Sequence, residues 1–189
     1  MANTDYQIKI DGEEHQFEGG AIRYSKDGKG DFNLIPSNVV KRVLGVYDCG
    51  FTGFTVDDGT GLAIMDDVFS KQYEEAIIDI TAHYYCDKPT DGKHLEEHIE
   101  YSEMFTLFAR MLRDLAIHYQ KGANVYGVDN WKKGLKDGEG IPESSFFDSG
   151  CRHTMQYLSG ETDEPHHISA IWNFFGAIYV RDKLWEYEL

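Results

Sequence analysis

Apolar positions recur along this chain at two periods. Near the start, Tyr6–Ile10 alternates, with Tyr6, Ile8 and Ile10 on one side, and Glu14–Phe17 comes after Asp11-Gly12. Asp-Gly between short extended runs predicts a small β-hairpin, which is marginal alone and must pack on other elements. From Ser37 onward the period is helical. Val39, Val40, Val43, Leu44 and Tyr47 share a face, Pro36 disfavours helix before it, and Ser37 is placed to cap this helix. Leu62–Tyr85 predicts one helix, with Ala63, Val68, Tyr73, Ile77, Ile80 and Tyr84 facing inward. His94–Gln120 predicts the longest. Met104, Phe105, Leu107, Phe108, Met111, Leu112, Leu115 and Ile117 give it a broad apolar surface suited to a bundle, and Gly122 reads as its left-handed cap.

Two helices close the pattern. Phe146–Leu158 is capped by Ser144 or Ser145, and Asp163–Asp182 is capped by Thr162, with SGET as a tight loop between them. In the last helix Ile168, Ile171, Trp172, Phe175, Ile178 and Tyr179 form the core face. Asp163 and Glu164 fall in its first turn, where acids suit the helix dipole and Pro165 is tolerated. The whole, 1–189, reads as one mainly α domain with no internal repeat.

The connections carry their own signals. Gly19–Gly30 is glycine-rich and holds Arg23, Lys26 and Lys29. It can follow a phosphate chain, or be no more than a flexible basic loop, and it lacks the P-loop pattern. Gly122–Gly134 (GANVYGVDNWKKG) reads as an ordered loop. Its Tyr126, Asn130 and Trp131 suit a stacked base, or equally a plug for the bundle end.

Charge narrows the choice of partner. With 33 acidic against 18 basic residues the formal charge is −15, which argues against a nucleic-acid backbone as ligand. A nucleotide polyanion still fits where metal ions neutralise the contact. Cys49, Cys86 and Cys151 form no CxxC pair, which suggests reduced thiols and a cytoplasmic setting. There is no signal-peptide pattern and no stretch near the roughly 20 apolar residues of a membrane span.

The densest chemistry lies at the last loop, where Glu161, Asp163, Glu164, His166 and His167 fall within seven residues, with Arg152 and His153 on the preceding helix. Helical spacing sets Asp163 and Glu164 four and three residues before His167, so their side chains converge. Hard divalent ions take oxygen ligands, and Mn²⁺ also accepts imidazole. Glu161, Asp163, Glu164 and His167 are therefore the candidate ligands, although acids in a first turn are also ordinary capping chemistry. Two further pairs stand four apart, Glu75 with Asp79 and Asp114 with His118. Each reads either as metal-binding or as solvated or structural.

Three segments, taken in order, resemble the phage-encoded dATP/dGTP diphosphohydrolase-like family, a relative of the all-α MazG-type nucleotide pyrophosphohydrolases. They are RYSKDGKGDFNLIP (Arg23–Pro36), GANVYGVDNWKKG (Gly122–Gly134) and SFFDSGCRHTMQYLSGETDEPHHISAIWN (Ser145–Asn173). The resemblance implies a MazG-like helical bundle in which a region around 46–103 is an insertion, either a lid or a subunit contact. It implies hydrolysis of a (deoxy)nucleoside triphosphate, of purine type, to monophosphate and pyrophosphate with Mg²⁺ (or Mn²⁺), in phage nucleotide-pool remodelling, by a homo-oligomer. It also implies roles for named residues. Arg23 and Lys26 would screen the triphosphate, Arg152 would stabilise developing charge, and His153 or Glu161 would accept the proton from water. Tyr126, Asn130 and Trp131 would hold base and sugar; Asn173, nine residues past Glu164 on the helix, reads from its spacing as reaching either the nucleotide or a neighbouring helix. The chain departs from the MazG pattern of ExxE with ExxD: the last helix offers Glu164-x-x-His167 with no clear ExxE to accompany it, and Glu100 and Glu103 form an acid pair at that spacing. A catalytically silent nucleotide binder and a helical host-interaction protein are the alternative readings.

Overall fold

The computed structural model describes residues 14–16, 22–24, 30–48, 54–55, 62–85, 98–99, 101–135 and 138–187. They form the strands β1 (Glu14–Gln16), β2 (Ile22–Tyr24), β3 (Phe54–Thr55) and β4 (His98–Ile99). The helices are α1 (Ser37–Asp48), α2 (Leu62–Phe69), α3 (Tyr73–Tyr85), α4 (Tyr101–Tyr126), α5 (Glu143–Leu158) and α6 (His166–Tyr187). The protein is mainly helical. β1 pairs antiparallel with β2, Glu14 opposite Tyr24, and β3 with β4, Phe54 opposite Ile99. The expected first strand, Tyr6–Ile10, and its Asp11-Gly12 turn lie outside the described residues. β2 falls where the sequence reading has a glycine-rich loop.

Helix α6 is the axis of the core. Ile171, Phe174, Phe175, Ala177 and Ile178 are fully buried, and they lie around the helix instead of along one stripe. A helix apolar all round must be covered on every side. α5 provides the largest cover, folding back antiparallel across a short loop, and α3, α4 and α1 complete it. α3 lies within the 46–103 region, yet Ile77, Ile78 and Ile80 have no exposure, so it is part of this core. Each such buried side chain contributes about 1.5–3 kcal/mol relative to exposure. Glu74 of α3, also buried, joins three helices: it accepts from Arg42 of α1 and, at 3.0 and 3.1 Å, from Nη2 of Arg181 of α6.

Several helix boundaries differ from expectation. The single helix over Leu62–Tyr85 is two helices, because Lys71 adopts a left-handed φ of 56°. The amide of Gln72 bonds Asp67 O at 2.9 Å and that of Lys71 bonds Val68 O at 3.1 Å. This is the Schellman ending, normally marked by glycine. Downstream, α4 begins at Tyr101, after β4, and runs through Gly122 to Tyr126. The cap is Gly127, with φ 90° and its amide on Ala123 O at 2.9 Å. α5 begins at Glu143 behind Pro142, so Ser144 and Ser145 lie inside it. α6 begins at His166, three residues later than expected. Among expected core positions, Tyr84 and Phe105 are instead about half exposed. The Glu75/Asp79 pair does not stand free, since Asp79 hydrogen-bonds Asp67 of α2, whose carboxyl burial pushes up. Among the described residues no helix is long and apolar enough to cross a membrane.

Candidate metal centre and adjoining cavity

The turn between α5 and α6 builds the site. Gly160, at φ 79°, ends α5: its amide bonds Tyr157 O at 3.0 Å, and that of Glu161 bonds Gln156 O at 3.0 Å. The chain then crosses Thr162, Asp163 and Glu164 without helical structure. Pro165 accepts the first helical bond of α6, from Ser169 N at 3.1 Å, and so occupies the N-cap position expected of Thr162. Asp163 and Glu164 therefore precede the helix. The three- and four-residue spacing arithmetic that pointed them at His167 does not apply to them, and His166 meets them instead.

His166 is 2 % exposed, and each of its ring nitrogens has an acidic neighbour. Nε2 lies 2.7 Å from Asp163 Oδ1, and Nδ1 lies 3.3 Å from Glu164 Oε1. From α5, the buried His153 brings its Nδ1 to 3.1 Å from His166 Nδ1 and 3.0 Å from Glu164 Oε1. Among the described residues two groups have ligand atoms all within 4.8 Å of one another: His153, Glu164 and His166, and Glu161, Asp163 and His166. His167 belongs to neither. Burial holds the His153 imidazole below its usual range; Arg152 pushes the same way and Glu164 opposes. The hydrogen bond from His166 holds the Asp163 carboxyl below its usual range.

The protons available to this group suit a cation. With His166 Nε2–H donating to Asp163, its Nδ1 carries a lone pair. Glu164 Oε1 is an acceptor, so a neutral His153 has one N–H for two acceptors. Three donor atoms thus converge with one proton among them. A divalent ion would meet all three, and Asp163 would orient His166 as carboxylates orient metal-bound histidines. Two imidazoles and a carboxylate suit Mn²⁺, Co²⁺ or Zn²⁺ better than Mg²⁺, which prefers oxygen.

Beside the group lies a cavity of about 540 Å³, walled by the end of α4, the turn after it and the start of α6. Tyr126, Asn130 and Trp131 line it, as do His118, Trp172 and Glu164. Trp131 is nearly buried, edge-on to Phe146 and Trp172, so the two sequence readings coincide: it plugs the bundle end and lines the cavity. Tyr126 is largely exposed.

The remaining expected residues are more scattered. Arg152 is exposed, one residue before His153, and donates to Gln156 at 3.3 Å. Glu161 is exposed and accepts from Gln156 Nε2 at 3.0 Å. Asn173 is buried, donates to Ser169 O at 2.8 Å, and is not among the cavity-lining residues. Arg23 is described only as the residue paired with His15 in the β1–β2 ladder, and Lys26 lies outside the described residues. Asp114 accepts from Tyr85 and Arg113, not from His118.

His167 turns into an aromatic cluster, stacked on Tyr84 with Tyr85 and Tyr157 around it. Burial lowers its pKa to about 4; Asp114 opposes, while His118 and His166 add to the shift. The unfolded chain therefore binds the extra proton first. Stability from this group is complete above about pH 6.5 and is lost as pH falls towards 4. With allowance for solvent screening the loss is roughly 1–2 kcal/mol. Urea unfolding of wild type and His167→Gln across pH 4.5–7 should show the steeper slope in wild type; equal slopes would refute the assignment.

A family model described as dATP/dGTP diphosphohydrolase, N-terminal, matches residues 91–186. The match takes in the turn after α4 and the whole α5–α6 site, and leaves Arg23–Pro36 outside. Neither the curated proteins nor the solved structures gave a match.

Proposed function

The chain belongs to the dATP/dGTP diphosphohydrolase family, and from that premise we propose that it hydrolyses a purine deoxynucleoside triphosphate to the monophosphate and pyrophosphate. The observation that carries this reading is Glu164, whose side chain belongs both to the His153–Glu164–His166 group and to the cavity wall. A nucleotide with its phosphates at the group carries its base into the cavity, against Tyr126, Asn130 and Trp131. A divalent ion held by the group supplies neutralisation of phosphate charge and acidification of a water. Arg152 extends past the same turn of α5 and offsets charge that develops on the phosphates. His153 directs Nδ1 into the ligand group, which leaves Glu161 as the carboxylate to take the proton from water. Water adds at phosphorus, the bond to the bridging oxygen breaks, and pyrophosphate leaves. Assembly as a homo-oligomer and a role in remodelling a phage-infected cell's nucleotide pool are parts of the same proposal and rest on the resemblance.

The test is pyrophosphate release from the eight common nucleoside and deoxynucleoside triphosphates with Mg²⁺, Mn²⁺ or EDTA. Turnover should be confined to one or two purine substrates, vanish with EDTA, and run at least several-fold faster with limiting Mn²⁺ than with equal Mg²⁺. Folded protein that binds nucleotide without turnover would replace this reading with the silent binder.

A further inference from the structure

His118 stands where the cavity meets the metal-binding group. It lies on α4 one turn before Gly122, lines the cavity, and faces Trp172 with ring centroids 6.1 Å apart. Glu164 lines the same cavity, and the charges of Glu164 and His153 both act on the His118 ring, so it stands near that group. Among the described residues it makes no hydrogen bond. Of the other polar groups on this wall, the Tyr119 hydroxyl has no partner but is sealed from solvent, Lys121 is exposed, and the rest are engaged or peripheral. Asp129 pairs with Lys132 at 2.8 Å, Asn130 Oδ1 accepts from Lys133 at 3.0 Å, and Tyr126 is at the exposed rim. The His118 ring has no partner for its nitrogens among the described residues, and they are not sealed from solvent, so it is open to a ligand in the cavity. Burial keeps it neutral, so it offers one N–H donor and one acceptor.

We propose that His118 is a sugar-recognition residue, hydrogen-bonded to the 3′-hydroxyl of the bound deoxynucleotide. This rests on the placement of phosphates and base given above. With the phosphates at Glu164 and the base against Trp131, the sugar lies between them, and on that stretch of wall His118 has unpartnered ring nitrogens open to the cavity, whereas the unpartnered Tyr119 hydroxyl is sealed from solvent. A hydroxyl can both give and accept, so it matches a neutral imidazole in either tautomer.

The experiment crosses a protein change with a ligand change. Binding of the preferred deoxynucleoside triphosphate and of its 2′,3′-dideoxy analogue is measured by calorimetry, with Mn²⁺ present, for wild type and for His118→Phe and His118→Gln. Wild type should bind the dideoxy analogue about tenfold more weakly, as expected for one lost hydrogen bond. His118→Phe should bind both alike, at the weaker level, and His118→Gln should recover part of the preference. The comparison is made within each variant, so a general loss of stability does not imitate the result. If His118→Phe keeps the full preference, the sugar assignment is overturned while the reading of the site stands. If wild type binds neither nucleotide, the reading of the site falls first.

Discussion

Glu164→Gln should lower metal-dependent turnover at least about 100-fold and weaken Mn²⁺ binding to a similar degree. The amide keeps the size of the carboxylate and can still accept a hydrogen bond from His153, but it removes the charge that draws a cation between His153 Nδ1 and His166 Nδ1. Glu164 is well placed for a clean test, because it precedes α6 and its side chain is 44 % exposed. The fold does not depend on burying it, so unfolding without metal should be nearly unchanged. Asp163→Asn should act less strongly, about 10–100-fold, since Asp163 orients His166 from the far side of its ring. His167→Gln should leave metal binding intact. Loss of Mn²⁺ binding in His167→Gln but not in His166→Gln would return the site to the arrangement expected from helical spacing and discard the one described above.

The contrast between His166 and His167 marks the limit of what the sequence could convey. Periodicity located the helices, since Val39, Val43, Ile77, Ile80, Leu115 and Ile178 are buried as their spacing requires. The richness of the 161–167 stretch in acids and imidazoles was equally legible, as was its neighbourhood with His153. The choice between the two histidines was not. It turns on whether residues 163–165 are helical, and a one-residue difference rotates a side chain by about 100°. The sequence pattern makes Pro165 a first-turn residue, whereas it is the cap. The break at Lys71 was hidden for a related reason, because a left-handed residue is usually glycine or asparagine and here is lysine. His118 carried only its spacing from Asp114 as a signal. Its proximity to Glu164 joins residues far apart in sequence, and no local pattern encodes that.

Size, in contrast to conformation, is what two helical glycines provide between α5 and α6, and replacing either should be costly. A Cβ on Gly150 would lie 2.4 Å from the Phe174 ring, and one on Gly176 would lie 2.5 Å from the Phe146 ring. The contacts are reciprocal: each helix offers a glycine to the other's phenylalanine. Neither ring can simply move away. Phe174 is stacked on Tyr73 at 5.7 Å between centroids, and Phe146 is held edge-on to Trp131 at 6.2 Å. Alanine within a helix gains about 1 kcal/mol in propensity over glycine. Overpacking a core without room costs about 1–3 kcal/mol and sometimes more. With the rings fixed on both sides the steric cost should win, so Gly150→Ala and Gly176→Ala should each lower stability by roughly 1–3 kcal/mol in urea unfolding. The two differ in a second respect. Gly176→Ala presses Phe146 towards Trp131, which lines the cavity, so it should also weaken nucleotide binding, whereas Gly150→Ala presses on Tyr73, away from the cavity wall. Raised stability in either variant would mean that the helices separate easily, and the close α5–α6 packing that positions His153 against His166 would lose its support.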